Sequence, residues 1–404
     1  MQRNKDKFKF DMKEATKNVL LGSQLESFVN KIQLNYSKNL RANNCNIEFG
    51  LPDYEDIFLE MMFKIGLNGD TENLIPLEHF GDGYISMFVM AVIQAIAEEN
   101  TDDECLFLFE EPESFLHENH QEYFYKTVLC GLAEKNHQVI YTTHSDKMID
   151  IFETKSIVRL EFDDKKKQTE VKYNETNKDF LSTFQDAKYN PIEILDRIQD
   201  YNNYIKIIEP NLNKIIFSKK VLLVEGPNDM MVYKEIIRRK VLEKTNDAKY
   251  AETYLNFKNI AIIPHHGKIT ALVLIKLCEH FGLDYFVIND FDFEDDLVHE
   301  LKFTNEKEYK ESDFYTKGIE KIKAYNIKGE ELSLSTKKAM MTTNWILVNN
   351  SKSNQIHFNT PKLERLINYD KEDKDSMGVW NAIKNIDKIK DDLFPVKLAD
   401  FLEI

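Results

Sequence analysis

Two short stretches of this chain end apolar runs in carboxylates, at spacings that suit divalent-cation chemistry. In KVLLVEGPND, which starts at Lys220, the apolar run stops at Glu225, and Gly226 and Pro227 turn the chain toward a helix. About 65 residues later DYFVINDFDFEDD repeats the arrangement and delivers Asp290 and Asp292. Residues i and i+2 of an extended segment point the same way. If both runs are parallel strands, Glu225, Asp290 and Asp292 meet at the carboxyl edge of one sheet, where α/β folds place ligands. Carboxylates gathered there repel one another, and a hard cation taking oxygen ligands is the usual resolution. A single acid at a strand end is ordinarily a solvated loop start or a helix cap; the ordered pair of runs carries the metal reading. Asp229, one helical turn beyond Glu225, is the best further ligand, whereas Asp295 and Asp296 read as solvated. The turn His265-His266-Gly267-Lys268 ends another apolar run and reads equally as a phosphate contact or as a turn with exposed imidazoles, Gly267 marking a close approach of the backbone.

A second set lies upstream. In CLFLFEEPESFLHENH an apolar run ends in Glu110 and Glu111 followed by Pro112, and the next run, QVIYTTHSDKM, delivers His144. Before them, in HFGDGYISMF, Gly81, Asp82 and Gly83 open a helix whose N-terminus is suited to phosphate.

These residues need strands and helices to hold them. To about Asn100 the chain reads as mostly helical, since VLLGSQLESFVNKIQLNY and YISMFVMAVIQAIAEE place apolar residues at i, i+3, i+4. From Cys105 the pattern is strand, a helix over Glu118 to Lys135, strand, then a helix starting near Ser145. IVRLEFDDKKKQTEVKY reads as a hairpin with its turn at DDKKK, followed by a helical connector through Asn213. A second alternating series runs KVLLVEG, MMVYKEIIRRKVL, NIAIIPHHG, TALVLIKLCEHFG, DYFVIND. From Asn344, WILVN reads as another strand, and QIHFNT leads into a helix beginning at Pro361. The expected fold class is α/β: a domain over 1–160, a hairpin and connector over 161–215, and a parallel-sheet, Rossmann-like domain with closing helices over 216–404.

With 404 residues and 42% apolar content, the chain can bury a sizeable core and two domains are expected. The mostly apolar run from Tyr84 to Ala97 is too short for a membrane span of roughly 20 residues, and an intracellular, cytoplasmic protein is expected. Cys45, Cys105, Cys130 and Cys278 are scattered without CxxC spacing, against a zinc site or a disulfide framework. A net charge of −16 does not suit a generic polyanion binder, and clustered catalytic carboxylates account for part of it.

The pair Glu225-Gly226 and Asp290-Phe291-Asp292 resembles the Toprim domain of topoisomerases, primases and some nucleases. The resemblance implies Mg²⁺ or Mn²⁺ held by the aspartates, with Glu225 as ligand or as the acid/base. CLFLFEEPESFLHENH with His144 is similar to the Walker B to switch-histidine region of ABC-type ATPases. It implies Glu110 near Mg²⁺, Glu111 as the base and His144 as γ-phosphate sensor, with Gly81, Asp82 and Gly83 as the signature loop; Phe80 stands where that loop ordinarily has serine. No G-x-x-x-x-G-K-[ST] occurs among the 13 glycines. ATP is therefore expected only if that loop is supplied elsewhere, the chain being either part of a longer protein or a reduced form.

An ABC-like ATPase followed by a Toprim domain is the layout of the OLD-family endonucleases (overcoming lysogenisation defect), which include the Gabija nuclease, and the resemblance covers roughly residues 75 to 370. It implies a metal-dependent endonuclease acting on double-stranded DNA in anti-phage defence or DNA repair, a homo-oligomer, and a helicase or ATPase partner. The family's late acid maps onto Glu364 in QIHFNTPKLERLI, where Lys362 stands in place of another expected acid. Its late lysine maps onto one of Lys388, Lys390 and Lys397, Lys390 being the choice made here. The competing readings are a non-catalytic nucleotide- or DNA-responsive scaffold, a topoisomerase needing a nucleophilic tyrosine, and an SMC-like ATPase half, for which long heptads are not evident.

Overall fold

The computed structural model describes residues 21–39, 45–50, 62–67, 69–99, 104–114, 116–163, 165–172, 198–326, 328–369 and 375–404, with isolated residues before 21. The chain divides into two compact units, Met1–Ile149 and Asp150–Ile404.

In the first unit the helices Gln24–Asn39 and Asp82–Glu99 form where the 3.6-residue pattern places them, and Ile32, Tyr36, Met87, Phe88, Ala91 and Ala95 interlock in its core. Between them lies an antiparallel sheet, β1 (Cys45–Gly50), β2 (Met62–Leu67) and β3 (Ile75–Pro76), instead of a continuous run of helices. β1 and β2 are short and mixed in polarity, so neither alternates strongly enough to stand out from a helical background.

β4 (Leu106–Glu110) and β5 (Gln138–Thr142) pair in parallel, Leu106 opposite Gln138 through Glu110 opposite Thr142. Phe107, Phe109, Val139 and Tyr141 face the core, while Leu106, Leu108 and Ile140 point outward and are exposed. Helical segments Glu118–Phe124 and Cys130–Glu134 make the crossover. The helix expected near Ser145 is a turn: Ser145 Oγ bonds the Lys147 N–H, the local side-chain-to-backbone bond that competes with helix initiation.

The second unit opens with the hairpin β6 (Arg159–Asp163) and β7 (Gln168–Lys172), its turn at the expected place. Arg159 ties it to the chain just before the main sheet, donating through Nε to the Ile216 carbonyl at 2.9 Å and through Nη2 to the Ser218 carbonyl at 3.0 Å. The main sheet contains β8 (Lys220–Val224), β9 (Ile260–Pro264), β10 (Asp284–Asp290) and β11 (Ile356–Asn359), all parallel, in the order β11-β10-β8-β9. Both faces are covered, as parallel sheets require. Leu222, Val224, Phe286 and Ile288 join a core with Val232, Ile236, Val379 and Leu398 from the helices Pro227–Thr245, Ser376–Lys384 and Val396–Leu402. On the opposite face the helix Lys268–His280 packs on β10 and on the helix Leu334–Asn350.

Leu334–Asn350 corrects the strand reading of WILVN. Trp345, Ile346 and Leu347 are all buried, and a short apolar run buried on several sides looks the same in a helix as in a strand. Its start is capped by Ser333, whose side chain accepts from the Thr336 N–H. The helix expected from Pro361 begins at Leu363 and ends at Leu366. Among the described residues no helix is long and apolar enough to cross a membrane.

Candidate active site

The strand order fixes where a ligand can approach the second unit. β8 leads to its neighbour β9 on one side, and β10 leads to β11 on the other. The chain therefore reverses direction between the adjacent strands β8 and β10, and the crevice at their carboxyl ends is the switch point of the sheet. Glu225 follows the last residue of β8 and Asp290 is the last residue of β10. The two acids flank that crevice.

Asp290 is buried, and its Oδ1 accepts from the Leu363 N–H at 2.9 Å and from Asn359 Nδ2 at 3.3 Å. Its own N–H donates to Glu225 Oε2 at 3.0 Å. Burial foremost, and then the charges of Glu225, Asp229, Asp292 and Glu364, push its carboxyl well above the ordinary carboxylate range. The five acids thus form one electrostatic set. Glu364 comes from the short helix after β11 and is buried, its Oε2 having no hydrogen-bond partner among the described residues. Asp229 occupies the third position of the Pro227–Thr245 helix, and its Oδ2 accepts from the Gly226 N–H at 3.2 Å, so it also caps that helix.

Asp292 has a left-handed backbone, φ 68°, and its N–H donates to the Pro361 carbonyl at 2.8 Å. A non-glycine residue held there is strained, a condition that persists only where surrounding structure imposes it. Its Oδ2 lies 2.5 Å from Lys268 Nζ. Below the set, Tyr233 is wholly buried and donates to Asn359 Oδ1 at 2.9 Å, and Asn359 passes the contact on to Asp290. Burial and the nearby Asp229 carboxylate hold the Tyr233 phenol well above its usual range. This tyrosine is a donor in the floor of the site.

The imidazoles of the His265-His266-Gly267 turn are not exposed as one reading of the sequence had them: His265 is buried and His266 half-buried. His265 is wholly enclosed, burial pulls its pKa down to about 3, and its Nδ1 lies 2.9 Å from the Gly267 carbonyl. His266, at φ 56°, has Nε2 3.7 Å from Glu209 Oε2, and its N–H donates to the Glu225 carbonyl. Gly267 adopts φ 141°, ψ 150°, a conformation essentially confined to glycine. It thereby delivers Lys268 to the carboxylates. Sequence reasoning named Lys268 only as part of this turn; the signal was a glycine-lysine pair opening a helix at a strand end. Asp295 and Asp296 are exposed, as expected of acids after a strand.

Lys390 is exposed, and among the described residues no hydrogen bond or ion pair carries its side chain to the carboxylates. Lys388 is exposed too, and Lys397 donates to the Ile356 carbonyl at the start of β11. Lys362 is the cap residue before the Glu364 helix.

As a donor set the acids suit a hard cation: the available ligands are oxygens, one of them is buried without a partner among the described residues, and the surrounding charges act on Asp290. Among the described residues no three acids, histidines or cysteines already stand as a closed cage. Lys268 meets one of the aspartates instead.

In the first unit, Glu110 and Glu111 are exposed at the end of β4, and Glu111 is left-handed at φ 43°. His144 Nε2 lies 3.2 Å from Glu111 Oε1, so the structure brings these two candidates together. The residue that sequence reasoning passed over is Glu113, the last acid of Glu-Glu-Pro-Glu. It is buried, and its Oε1 accepts from Thr143 Oγ1 and, at 3.1 Å, from the His144 N–H, clasping the two strand-end loops. Gly81 and Asp82 are exposed at the start of Asp82–Glu99, with Gly83 half-buried in its first turn.

Comparison with known proteins assigns both units. Residues 1–149 match the AAA ATPase domain, and residues 216–292 match the Overcoming lysogenization defect protein-like TOPRIM domain. The second match contains Glu225, Asp229, Lys268, Asp290 and Asp292, while Glu364 and Lys390 lie beyond it. The chain is similar to the OLD nuclease of Thermus scotoductus, with 25% identity over 249 residues, 61% of this chain and 41% of that protein. It therefore covers well under half the length of this curated relative. Among solved structures it is similar to an SMC ATPase, at 13% identity over 39% of this chain and 87% of the other with a TM-score of 0.28. It is also similar to the Smc head domain of Pyrococcus furiosus bound to the C-terminal domain of ScpA, at 11% identity over 41% and 38% with a TM-score of 0.29. These structural likenesses are too slight to bear on the fold. The chain carries an AAA ATPase domain followed by an OLD-like Toprim domain, with a parallel sheet in the second.

Proposed function

We propose that this chain is a nuclease of the OLD type, a Mg²⁺- or Mn²⁺-dependent endonuclease that hydrolyses phosphodiester bonds of double-stranded DNA at the Toprim carboxylates. The observation that carries this reading is the position of Glu225 and Asp290 on either side of the sheet's switch point, with Asp292, Asp229 and Glu364 drawn into the same field. Asp290 and Asp292 would hold the cation, with Asp229 and Glu364 beside them. A bound divalent cation supplies charge neutralisation at the phosphate and a lowered pKa for water. The chain's own residues do the rest. Glu225, half-buried and oriented by the Asp290 N–H, takes the proton of the attacking water. Asn359, Tyr233 and the Leu363 N–H hold Asp290 in place.

The first unit lacks a phosphate loop in this sequence, and its Glu110, Glu111 and His144 would complete a nucleotide site only with that loop supplied elsewhere. One observation favours a non-catalytic scaffold instead: Lys268 already neutralises Asp292. The two readings separate on supercoiled plasmid incubated with the full chain in Mg²⁺ or Mn²⁺. Nicking or linearisation that Asp290→Ala abolishes and ATP leaves unchanged supports the nuclease; an intact plasmid in every condition favours the scaffold.

A further inference from the structure

We propose that Lys268 is a positioning residue of this site with two successive partners: Asp292 while the carboxylates lack a divalent cation, and a non-bridging oxygen of the DNA phosphate once a cation has taken its place. The inference rests on the nuclease reading and adds a residue to it.

The placement of the ammonium is not incidental. Lys268 opens the Lys268–His280 helix, whose buried side chains fix it against β10, and its own side chain is only 10% exposed. The chain reaches it through Gly267 in a glycine-only conformation, and Asp292 meets it from a left-handed turn. Two strand-end turns, one passing through a conformation open only to glycine and the other through a left-handed aspartate, thus converge on a single ion pair. A lysine that merely decorated a surface would need neither.

The surrounding charge says what this pair is for. Five carboxylates share the field around Asp290. A phosphodiester anion approaching them is repelled, and Lys268 sets an ammonium against one of these acids, Asp292. A cation bound through Asp292 Oδ2 cannot tolerate an ammonium 2.5 Å from the same oxygen, so the amine must swing away when the cation binds. Its flexible four-carbon stem permits this without moving the helix, and its compact charge suits a single phosphate oxygen. No covalent step is involved; the lysine exchanges one anionic oxygen for another.

Removing the amine should therefore push metal binding and cleavage in opposite directions. In the full-length chain, Lys268→Met is expected to bind Mn²⁺ about 10-fold more tightly by calorimetric titration without DNA, because the cation no longer displaces a competitor. At saturating Mn²⁺ the same variant should cut plasmid about 10- to 100-fold more slowly, the loss expected for one charge-assisted hydrogen bond. Lys268→Arg keeps the charge and should lie near wild type in Mn²⁺ affinity while regaining part of the rate. It also serves as the folded comparison if Lys268→Met melts early. Weaker or unchanged Mn²⁺ affinity in Lys268→Met would overturn the counter-ion role and leave a structural brace. Tighter Mn²⁺ binding with undiminished cleavage would overturn the phosphate role. A wild-type chain that binds no Mn²⁺ and cuts no DNA would instead overturn the nuclease reading, and this inference with it.

Discussion

Asp290→Asn should make the protein more stable in the absence of metal while abolishing its activity. The native environment raises the Asp290 pKa above its ordinary value of 3.8, through burial and then through four neighbouring carboxylates. Such a group binds its proton more tightly when folded than when unfolded. Its contribution to stability is therefore complete below pH 4 and is lost as pH rises toward the folded pKa, at about 1.4 kcal/mol per pH unit. Asparagine escapes this loss because it never ionises. Its amide oxygen still accepts from the Leu363 N–H and Asn359 Nδ2, the two bonds that hold the side chain. At pH 7 in EDTA the variant should exceed wild type, each kcal/mol of the difference raising Tm by about 2–4 °C for a unit of this size. The gap should close near pH 4. Saturating Mn²⁺ should then reverse the order, since a ligand at 100 times its Kd stabilises wild type by about 2.7 kcal/mol and the variant hardly at all. Thermal melts at pH 4 and pH 7, with EDTA or Mn²⁺, make the test. An Asp290→Asn protein that melts below wild type in EDTA at pH 7, or a gap that does not change with pH, would refute the reasoning.

Gly267→Ala should cost about 1–3 kcal/mol through the backbone alone, since an added Cβ meets nothing within 4 Å, and cleavage should fall with it; a variant as stable as wild type would contradict the glycine-only geometry. Tyr233→Phe leaves Asn359 Oδ1 without the Tyr233 donor in a buried site, and should lower unfolding free energy by about 1–2 kcal/mol in denaturant titration. Glu113→Ala removes the acceptor shared by Thr143 Oγ1 and the His144 N–H, and should speed hydrogen exchange of the His144 amide while leaving exchange in the β8–β11 sheet unchanged.

What the sequence revealed and what it hid divide along physical lines. The second-unit strands are fully buried apolar runs ending in turn residues, so β8, β9 and β10 stood out, and with them the positions of Glu225, Asp290 and Asp292. The hairpin at β6 and β7 was marked by its charged turn. β11 was missed, because the strand was placed in WILVN and QIHFNT was read only as the approach to a helix, which begins two residues later than Pro361 suggested. Trp345 to Val348 misled because burial on several sides erases periodicity. The Lys268–Asp292 pair and the Tyr233–Asn359–Asp290 chain were invisible because each joins residues far apart in sequence, brought together only by the order of strands. The late lysines carried no such signal: Lys388, Lys390 and Lys397 stand in one lysine-rich stretch, where the first two are exposed and the third is half-buried.

The central claim is that the chemistry resides in the carboxylates at the ends of β8 and β10. Its most direct test is single-turnover cleavage of plasmid DNA in Mn²⁺ by the wild-type chain, Glu225→Gln, Asp290→Ala and Glu111→Gln, each first checked for folding. The account predicts that the first two variants lose cleavage while Glu111→Gln cuts at the wild-type rate. Cleavage that survives Asp290→Ala, or that disappears with Glu111→Gln alone, would contradict it.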